Sequence, residues 1–364
     1  MTQESLASRD DLTRRVVTST SDFDVEALAE LMREAWAVDY TDRLRINFNK
    51  AHLEHMMTGR SWFGVLVCTR DARPVGFEIA MQRTLFCRGQ TLRAFLVTAF
   101  TVSAQHRRRG IGRWLLEGVN QEAFERRKAD LLFSSFHHGA AGSPTVQSTF
   151  DQIQGFGVNR FHTFPSWGRR IDKQPLPSLD APISVVRLEQ VEGSPDWQPR
   201  MEASTDAPVA VPSRAEFTDI VRKKYAVAFA PDASFSDYFL HAGSNEAGTL
   251  WYDFGQAATC FVSYALVPLI VNERCLRPVG VIQAVHAQNC EQPHLEQILV
   301  HLAHRFLADG CFAISLYDVG VFPHEVLEKL GLQADDKFDY AVRGPRAVID
   351  QFNGLELPLF LDFN

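Results

Sequence analysis

The stretch that most constrains this chain is VTAFTVSAQHRRRGIGRWLLEGV, Val97–Val119. Apolar and β-branched residues give way to three consecutive arginines, then Gly-Ile-Gly, then an apolar pattern at helical spacing. The pattern predicts a strand, a tight loop and a helix in direct succession. The first turn of such a helix leaves backbone N–H groups unpaired and carries the positive end of the macrodipole. Glycines let that backbone come close to a ligand. With Arg107, Arg108, Arg109 and Arg113 around it, the loop is suited to an anion, and a diphosphate is the natural occupant. The chain of 364 residues nevertheless has a net charge of −7. General nucleic-acid binding is therefore not expected, and a cationic small molecule suits the rest of the surface better than a polyanion.

The length allows two ordinary domains. DKQPLPSLDAP, Asp172–Pro182, holds three prolines in eleven residues and reads as a linker. It separates residues 10–172 from residues 183–364. In the first part RRVVTS is a strand candidate. SDFDVEALAELMREAWAV has apolar residues at helical spacing (Val25, Leu28, Leu31, Met32, Ala35), and NKAHLEHMMTG is a second short helix. SWFGVLVCTRDARPVGFEIAMQRTLF reads as a hairpin turning near Asp71–Pro74, and TLRAFLVTAFTVS as the next strand. A helix from Gly110, the buried-type strand LLFSSF and a helix over SPTVQSTFDQIQGFG follow. The second part repeats the scheme loosely, with strands at ISVVRL, TCFVSYALVPLIV, RPVGVIQAVHA and CFAISLYDV. Its helices are expected at SRAEFTDIVRKKYAVAF, HLEQILVHLAHRFLADG and PHEVLEKLGLQ. The strand–helix–strand–helix order in both parts predicts an internal duplication in the α/β (mixed α+β) class, with parallel crossovers.

VSAQHRRRGIGRWLL resembles the acyl-CoA-binding motif of the GNAT superfamily of N-acetyltransferases, whose core is Arg/Gln-x-x-Gly-x-Gly/Ala. Here that core is Arg107-Arg108-Arg109-Gly110-Ile111-Gly112. The resemblance implies two tandem GNAT-like domains, each a central mixed, partly splayed sheet flanked by helices. It implies a first domain that binds acetyl-CoA or another acyl-CoA as co-substrate. Thr101 and Val102, on the preceding strand, would lie against the pantetheine arm. Arg107, Arg108, Arg109, Gly110, Ile111, Gly112 and Arg113 would hold the diphosphate. The second part has no arginine run and no Gly-x-Gly in VHAQNCEQPHLEQILVHLAH, so it is expected to be degenerate and to leave one cofactor site per chain. A Rossmann or P-loop site is not expected, because GIGRWL lacks the third glycine and no Gly-Lys-Ser/Thr follows.

The resemblance also exposes departures. Family members often carry a tyrosine that protonates the leaving thiolate; the matching position here is Asp151. They often carry a glutamate on the motif strand, where this chain has Ala99 and Thr101. His137 and His138, directly after LLFSSF, are the replacement candidates for acid or base near neutral pH, and Asp151 is the third catalytic candidate. Asp39, Asp42, Glu54 and Glu78 could attract a cationic amine, although each also reads as a solvated surface carboxylate. His52-x-x-His55 and His301-x-x-His304 lack the His-Glu-x-x-His pattern, so no metal is expected. The six cysteines form no Cys-x-x-Cys, and no apolar stretch has the length of a membrane helix. A cytoplasmic enzyme is expected that moves an acetyl or other acyl group to an amine of a small molecule, without nucleic acid or membrane partners; a homodimer is compatible with the sequence. Two alternatives stand beside it: thioester chemistry on a carrier-protein thiol or by decarboxylation, and a non-catalytic acyl-CoA sensor.

Overall fold

The computed structural model describes residues 11–39, 45–57, 61–138, 155–179, 183–190, 194, 196–203, 209–232, 247–271 and 274–361. The first half runs β1 (Leu12–Val17), α1 (Val25–Asp39), the two-residue β2 (Arg45–Ile46) and α2 (Lys50–Met57). It continues through β3 (Trp62–Thr69), β4 (Pro74–Cys87), β5 (Gln90–Val102), α3 (Ile111–Asn120), β6 (Leu131–His137) and β7 (Phe156–Arg170). The second half opens with β8 (Ser184–Gln190), β9 (Trp197–Ala203), the helix Arg214–Lys224, β10 (Val227–Phe229) and β11 (Ala247–Asp253). Then come β12 (Thr259–Val267), β13 (Leu269–Val271), β14 (Arg274–Cys275), β15 (Val279–Gln288), the helix Gln292–Ala308, β16 (Ala313–Tyr317), the helix His324–Lys329 and β17 (Gln333–Pro345).

Local chemistry sets most of these boundaries. Asp24 starts α1 by accepting from the backbone N–H of Glu26 (2.9 Å) and Ala27 (3.1 Å). Its apolar stripe Val25, Leu28, Leu31, Met32 and Ala35 is buried, as the spacing predicts. The β3–β4 turn places Ala72 at φ +63°, and Thr69 Oγ1 donates to Asp71. Ser213 and Glu216 form a reciprocal cap on the helix Arg214–Lys224. That helix is shorter than the periodicity predicts: Val227–Phe229 leaves it to pair with Leu85–Cys87 of β4. Pro268 likewise divides one expected strand into β12 and β13. The helix after Gly110 passes into a π-helical turn, Gln121–Arg126, where Glu122 pairs with Arg126 (3.2 Å) and Arg127 (2.9 Å). Residues 143–154 of the expected last helix of the first half, with Asp151, lie outside the described residues, as do Asp42 and linker residues 180–182.

One large sheet runs through both halves in the order β1-β3-β4-β5-β6-β17-β7-β16-β15-β12-β11-β8-β9, with β10 beside β4; β14, β13 and β2 form a small second sheet. The two halves are not laid side by side as closed units. β17, from the second half, lies antiparallel between β6 and β7 of the first, and β7 pairs in turn with β16. Neither β7 nor β17 is predicted by the sequence pattern, and both are central. Pro165 is accommodated in β7 at an irregularity, where the register slips between Ala334 and Lys337. The halves share a local plan: β5 and β6 are parallel and joined through α3, and β15 and β16 are parallel and joined through the helix Gln292–Ala308. One face of the first half packs against α3 through Ile111, Leu115 and Val119. The other packs against α1 and α2 in a core that continues into the second half through Phe217, Val227 and Phe360.

Candidate functional site

The site is built where β5 and β6 part. They pair only from Ala94↔Leu131 to Leu96↔Phe133, yet β5 runs on to Val102 and β6 to His137. Among the described residues no further pairing joins them, so a V opens at the C-terminal ends of two parallel strands, where ligands collect in such sheets. A bulge in β5 marks the divergence. The register with β4 moves from Ile79↔Thr98 to Phe77↔Thr101, and Ala99 takes φ +59°. A left-handed non-glycine residue stores about 1 kcal/mol of strain and persists only where its surroundings hold it. Here Thr101 Oγ1 donates to the Ala99 carbonyl (3.0 Å), and Trp36 Nε1 donates to Thr101 Oγ1 (3.1 Å). Thr101 is thus buried and structural, while Val102 ends the strand half-exposed opposite Gly76.

At the end of β5 the chain turns into α3. Gly110 is its N-cap at φ +73°, and Arg108 is also left-handed at φ +63°. The first-turn amides of Ile111, Gly112 and Arg113 have no carbonyl one turn earlier to accept from them, which leaves donors for an anion. Glycine is required twice for packing. A Cβ on Gly76 would lie 2.7 Å from Ile111 Cγ2, and one on Gly112 would lie 3.1 Å from Phe100 Cζ. The helix N-terminus therefore sits directly on the sheet. The arginines divide their work. Arg109 binds Asp11 (2.6 Å), Arg113 binds Glu117 (2.8 Å), and Arg107 reaches the carbonyl of Ala35 (3.5 Å). Arg108 is exposed on the turn itself. His106, which the sequence did not single out, lies beside them; desolvation, then the Arg109 charge, holds its imidazole below the ordinary range.

The two histidines at the end of β6 point to opposite sides, as successive strand residues do. His137 stacks edge-on to Phe338 (5.3 Å between centroids), and its Nε2 lies 3.1 Å from Asp336 Oδ1. His138 turns Nδ1 onto Asp339, 2.9 and 3.0 Å from the two carboxylate oxygens. Asp339 is only 1% exposed; Thr163 Oγ1 donates to it (2.5 Å), and Arg160 Nη1 is 3.8 Å away. A buried carboxylate on Nδ1 fixes ring and tautomer and leaves Nε2 to take a proton, which is how such pairs make a base. The sequence could not supply Asp339, since its partner lies 201 residues away.

The other acidic candidates separate. Glu54 is half-buried and pairs loosely with Lys50 (3.8 Å). Glu78 is not at the surface: it is 1% exposed, and its Oε1 lies 3.8 Å from Arg343 Nη2 of β17. Burial pushes its carboxyl up to about 7, against the pull of Arg343. His52 is buried beside Phe48 (ring centroids 5.7 Å apart), and desolvation lowers it to about 4. His301 Nδ1 meets the hydroxyl of Tyr252 (3.0 Å). Cys68, Cys87, Cys260 and Cys311 are buried thiols, and Cys290 is half-buried. In the second half the helix at Gln292 starts differently. The backbone N–H of Glu291, its N-cap, donates to His294 Nδ1 (3.1 Å), so an acidic residue stands at this helix start where Gly110 stands at the start of α3. No helix among the described residues is long and apolar enough to cross a membrane.

With this geometry in view, solved structures give the fold its place. A Saccharomyces cerevisiae N-myristoyltransferase with bound myristoyl-CoA superposes with a TM-score of 0.64 at 11% identity, covering 91% of this chain and 84% of that one. A second structure of a Saccharomyces cerevisiae N-myristoyltransferase, with bound myristoyl-CoA and inhibitors, gives 0.60 at 12% identity over 91% and 81%. The GCN5-related glucosamine N-acetyltransferase region of a fungal multi-domain β-N-acetylglucosaminidase gives 0.57 at 12% identity, over 91% of this chain and 38% of that one. The chain has a GNAT-like fold with two tandem halves, as the motif implies. No family model and no curated protein matches it.

Proposed function

We propose that this protein transfers an acyl group from acyl-CoA to an amine. The observation that carries the reading is the V between β5 and β6, with the Gly110-led N-terminus of α3 at its end. In this reading the first-turn amides of α3 and the arginine rim hold the CoA diphosphate. The pantetheine arm lies along β5 past the bulge at Ala99, toward Thr101 and Val102. Neighbouring folds bind myristoyl-CoA or carry an N-acetyltransferase name, which supports acyl-CoA as the co-substrate. Residues 10–172 hold the cofactor. Residues 183–364 bind none and lend β17 to the site. The acceptor is a small-molecule amine, preferably cationic, in keeping with the acidic chain. The site of action is the cytoplasm.

The amine nitrogen attacks the thioester carbon, the C–S bond breaks, and the nitrogen loses one proton while the sulfur gains one. His138 takes the amine proton at Nε2, positioned by Asp339. His137 lies on the opposite side of β6 and is the alternative carrier. Asp151 has no part as an efficient acid, since an unperturbed Asp titrates near about 4.

The test is calorimetric titration with acetyl-CoA and myristoyl-CoA, followed by CoA release with spermidine, lysine, glucosamine and a tetrapeptide bearing a free α-amine. Binding of one acyl-CoA per chain, with amine-dependent CoA release, is expected. Binding without release from any amine would favour a sensor, and no binding of either thioester would remove the reading altogether.

A further inference from the structure

Glu78 is an ionisable group that neither the anion site nor His138 uses. It is wholly buried, and its Oε2 has no hydrogen-bond partner among the described residues. Its position follows from register. Glu78 pairs with Val65 of β3 and faces the same side, the side on which Val65 packs against Gly118 of α3. On the other edge of β4 it falls at the slip opposite the β5 bulge, between Phe77↔Thr101 and Ile79↔Thr98. Its partner comes from far away. Arg343 of β17 pairs with Leu132 of β6, so its guanidinium crosses the two strands that form the V to reach Glu78 on β4. The pair spans the α3 side of the V at the level where β5 and β6 separate.

We propose that Glu78 is the proton donor to the departing CoA sulfur, taking the role that a family tyrosine would fill. The proposal rests on the acyl-transfer reading. As the amine nitrogen bonds to the carbonyl carbon, the C–S pair goes to sulfur, and sulfur takes the carboxyl proton of Glu78. Arg343 then faces the carboxylate that remains. The proton taken from the amine by His138 returns to Glu78 through water, so no proton is gained or lost over the cycle. A carboxyl serves as such a donor only where burial keeps it protonated near neutrality, and burial lifts Glu78 to about 7. Among the described residues, the side chains packed on this side of the sheet are largely apolar, and the charged ones are paired. α3 contributes Ile111, Leu115 and Val119, and β6 contributes Leu132. Glu122 is held by Arg126 and Arg127, and Arg14 of β1 donates to the Trp114 carbonyl. Arg343 is the charged group acting on Glu78.

The experiment is turnover against pH with saturating acetyl-CoA and the amine from the panel above that is used fastest. Wild type should lose kcat as pH rises through about 7, because the donor must be protonated. Glu78→Gln should lower kcat by about a hundredfold and abolish that limb, with KM for acetyl-CoA within about threefold. Arg343→Met removes the cation that favours the carboxylate and should move the limb upward by about one pH unit or more. A purely structural pair would not move the limb. If Glu78→Gln does not fold, the wild-type profile and Arg343→Met decide. A wild-type kcat with no fall near 7, a folded Glu78→Gln with wild-type rate and profile, or an unmoved limb in Arg343→Met each overturns the assignment. Failure of the acyl-transfer reading looks different: wild type itself then releases no CoA.

Discussion

Replacing Gly110 by Asp tests the anion site most directly. Gly110 sits at φ +73° immediately before the first turn of α3. Its backbone defines the place where the diphosphate would meet the Ile111 and Gly112 amides. An N-cap Asp side chain accepts from the N2 or N3 amide, here Gly112 or Arg113, and so competes for the same donors. It also sets a negative charge beside the phosphates. Two unit charges about 5 Å apart at an effective dielectric of about 20 repel by about 3 kcal/mol. The backbone strain is smaller, about 1 kcal/mol, because Asp and Asn enter the left-handed region more readily than other residues. CoA affinity in Gly110→Asp should therefore drop by about a hundredfold. Gly110→Asn, with the same strain and no charge, should lose less than about tenfold. Calorimetry with free CoA, run beside thermal unfolding of each variant, reads both effects. Equal CoA affinity in wild type and a folded Gly110→Asp would refute the placement of the diphosphate. Equal losses in the Asp and Asn variants would show that geometry, not charge, governs the turn.

Titration with CoA should saturate at one equivalent per chain, because the corresponding helix of the second half starts at the acidic Glu291, without an arginine run or a Gly-x-Gly turn; two equivalents would show that half to be competent. Asp339→Asn should remove the carboxylate that orients His138 and lower kcat by about a hundredfold, whereas Asp151→Asn should cost less than about tenfold. A thousandfold loss in Asp151→Asn with a wild-type rate in Asp339→Asn would reverse the roles. Glu78 should also shape stability. Its carboxyl, ordinarily at 4.5, is raised to about 7 in the folded chain, so the native state holds the extra proton between those values and stability falls as pH rises through that window. The loss is on the order of 3 kcal/mol and should vanish in Glu78→Gln. Melting curves of the two proteins, compared as a difference, cancel the buried histidines His52, His286 and His301, whose lowered values act in the opposite direction.

What the sequence determined is what neighbouring residues can decide among themselves. The strand, arginine turn and helix from Val97 to Val119 carry their meaning locally, and the structure builds them with a left-handed Gly110 where the pattern places the loop. The stripe of α1 and the β3–β4 hairpin are equally local. β17 could not be read this way. Gln333–Pro345 contains Asp335, Asp336, Lys337, Asp339 and Arg343 and ends in Gly-Pro, a composition that disfavours a strand. It becomes one because β6 and β7 offer it hydrogen-bond ladders on both edges. Three of its charges then find partners on first-half segments: Asp336 near His137, Asp339 on His138, Arg343 on Glu78 of β4. Glu78 itself looks like the solvent-facing residue of an alternating strand, and its burial is decided only when α3 packs over that face of β4 and Arg343 arrives from the far end of the chain. Contacts between segments so far apart along the chain leave no periodicity in either segment. The anion turn was therefore visible in the sequence, while the groups that set protonation at the V depend on tertiary pairing.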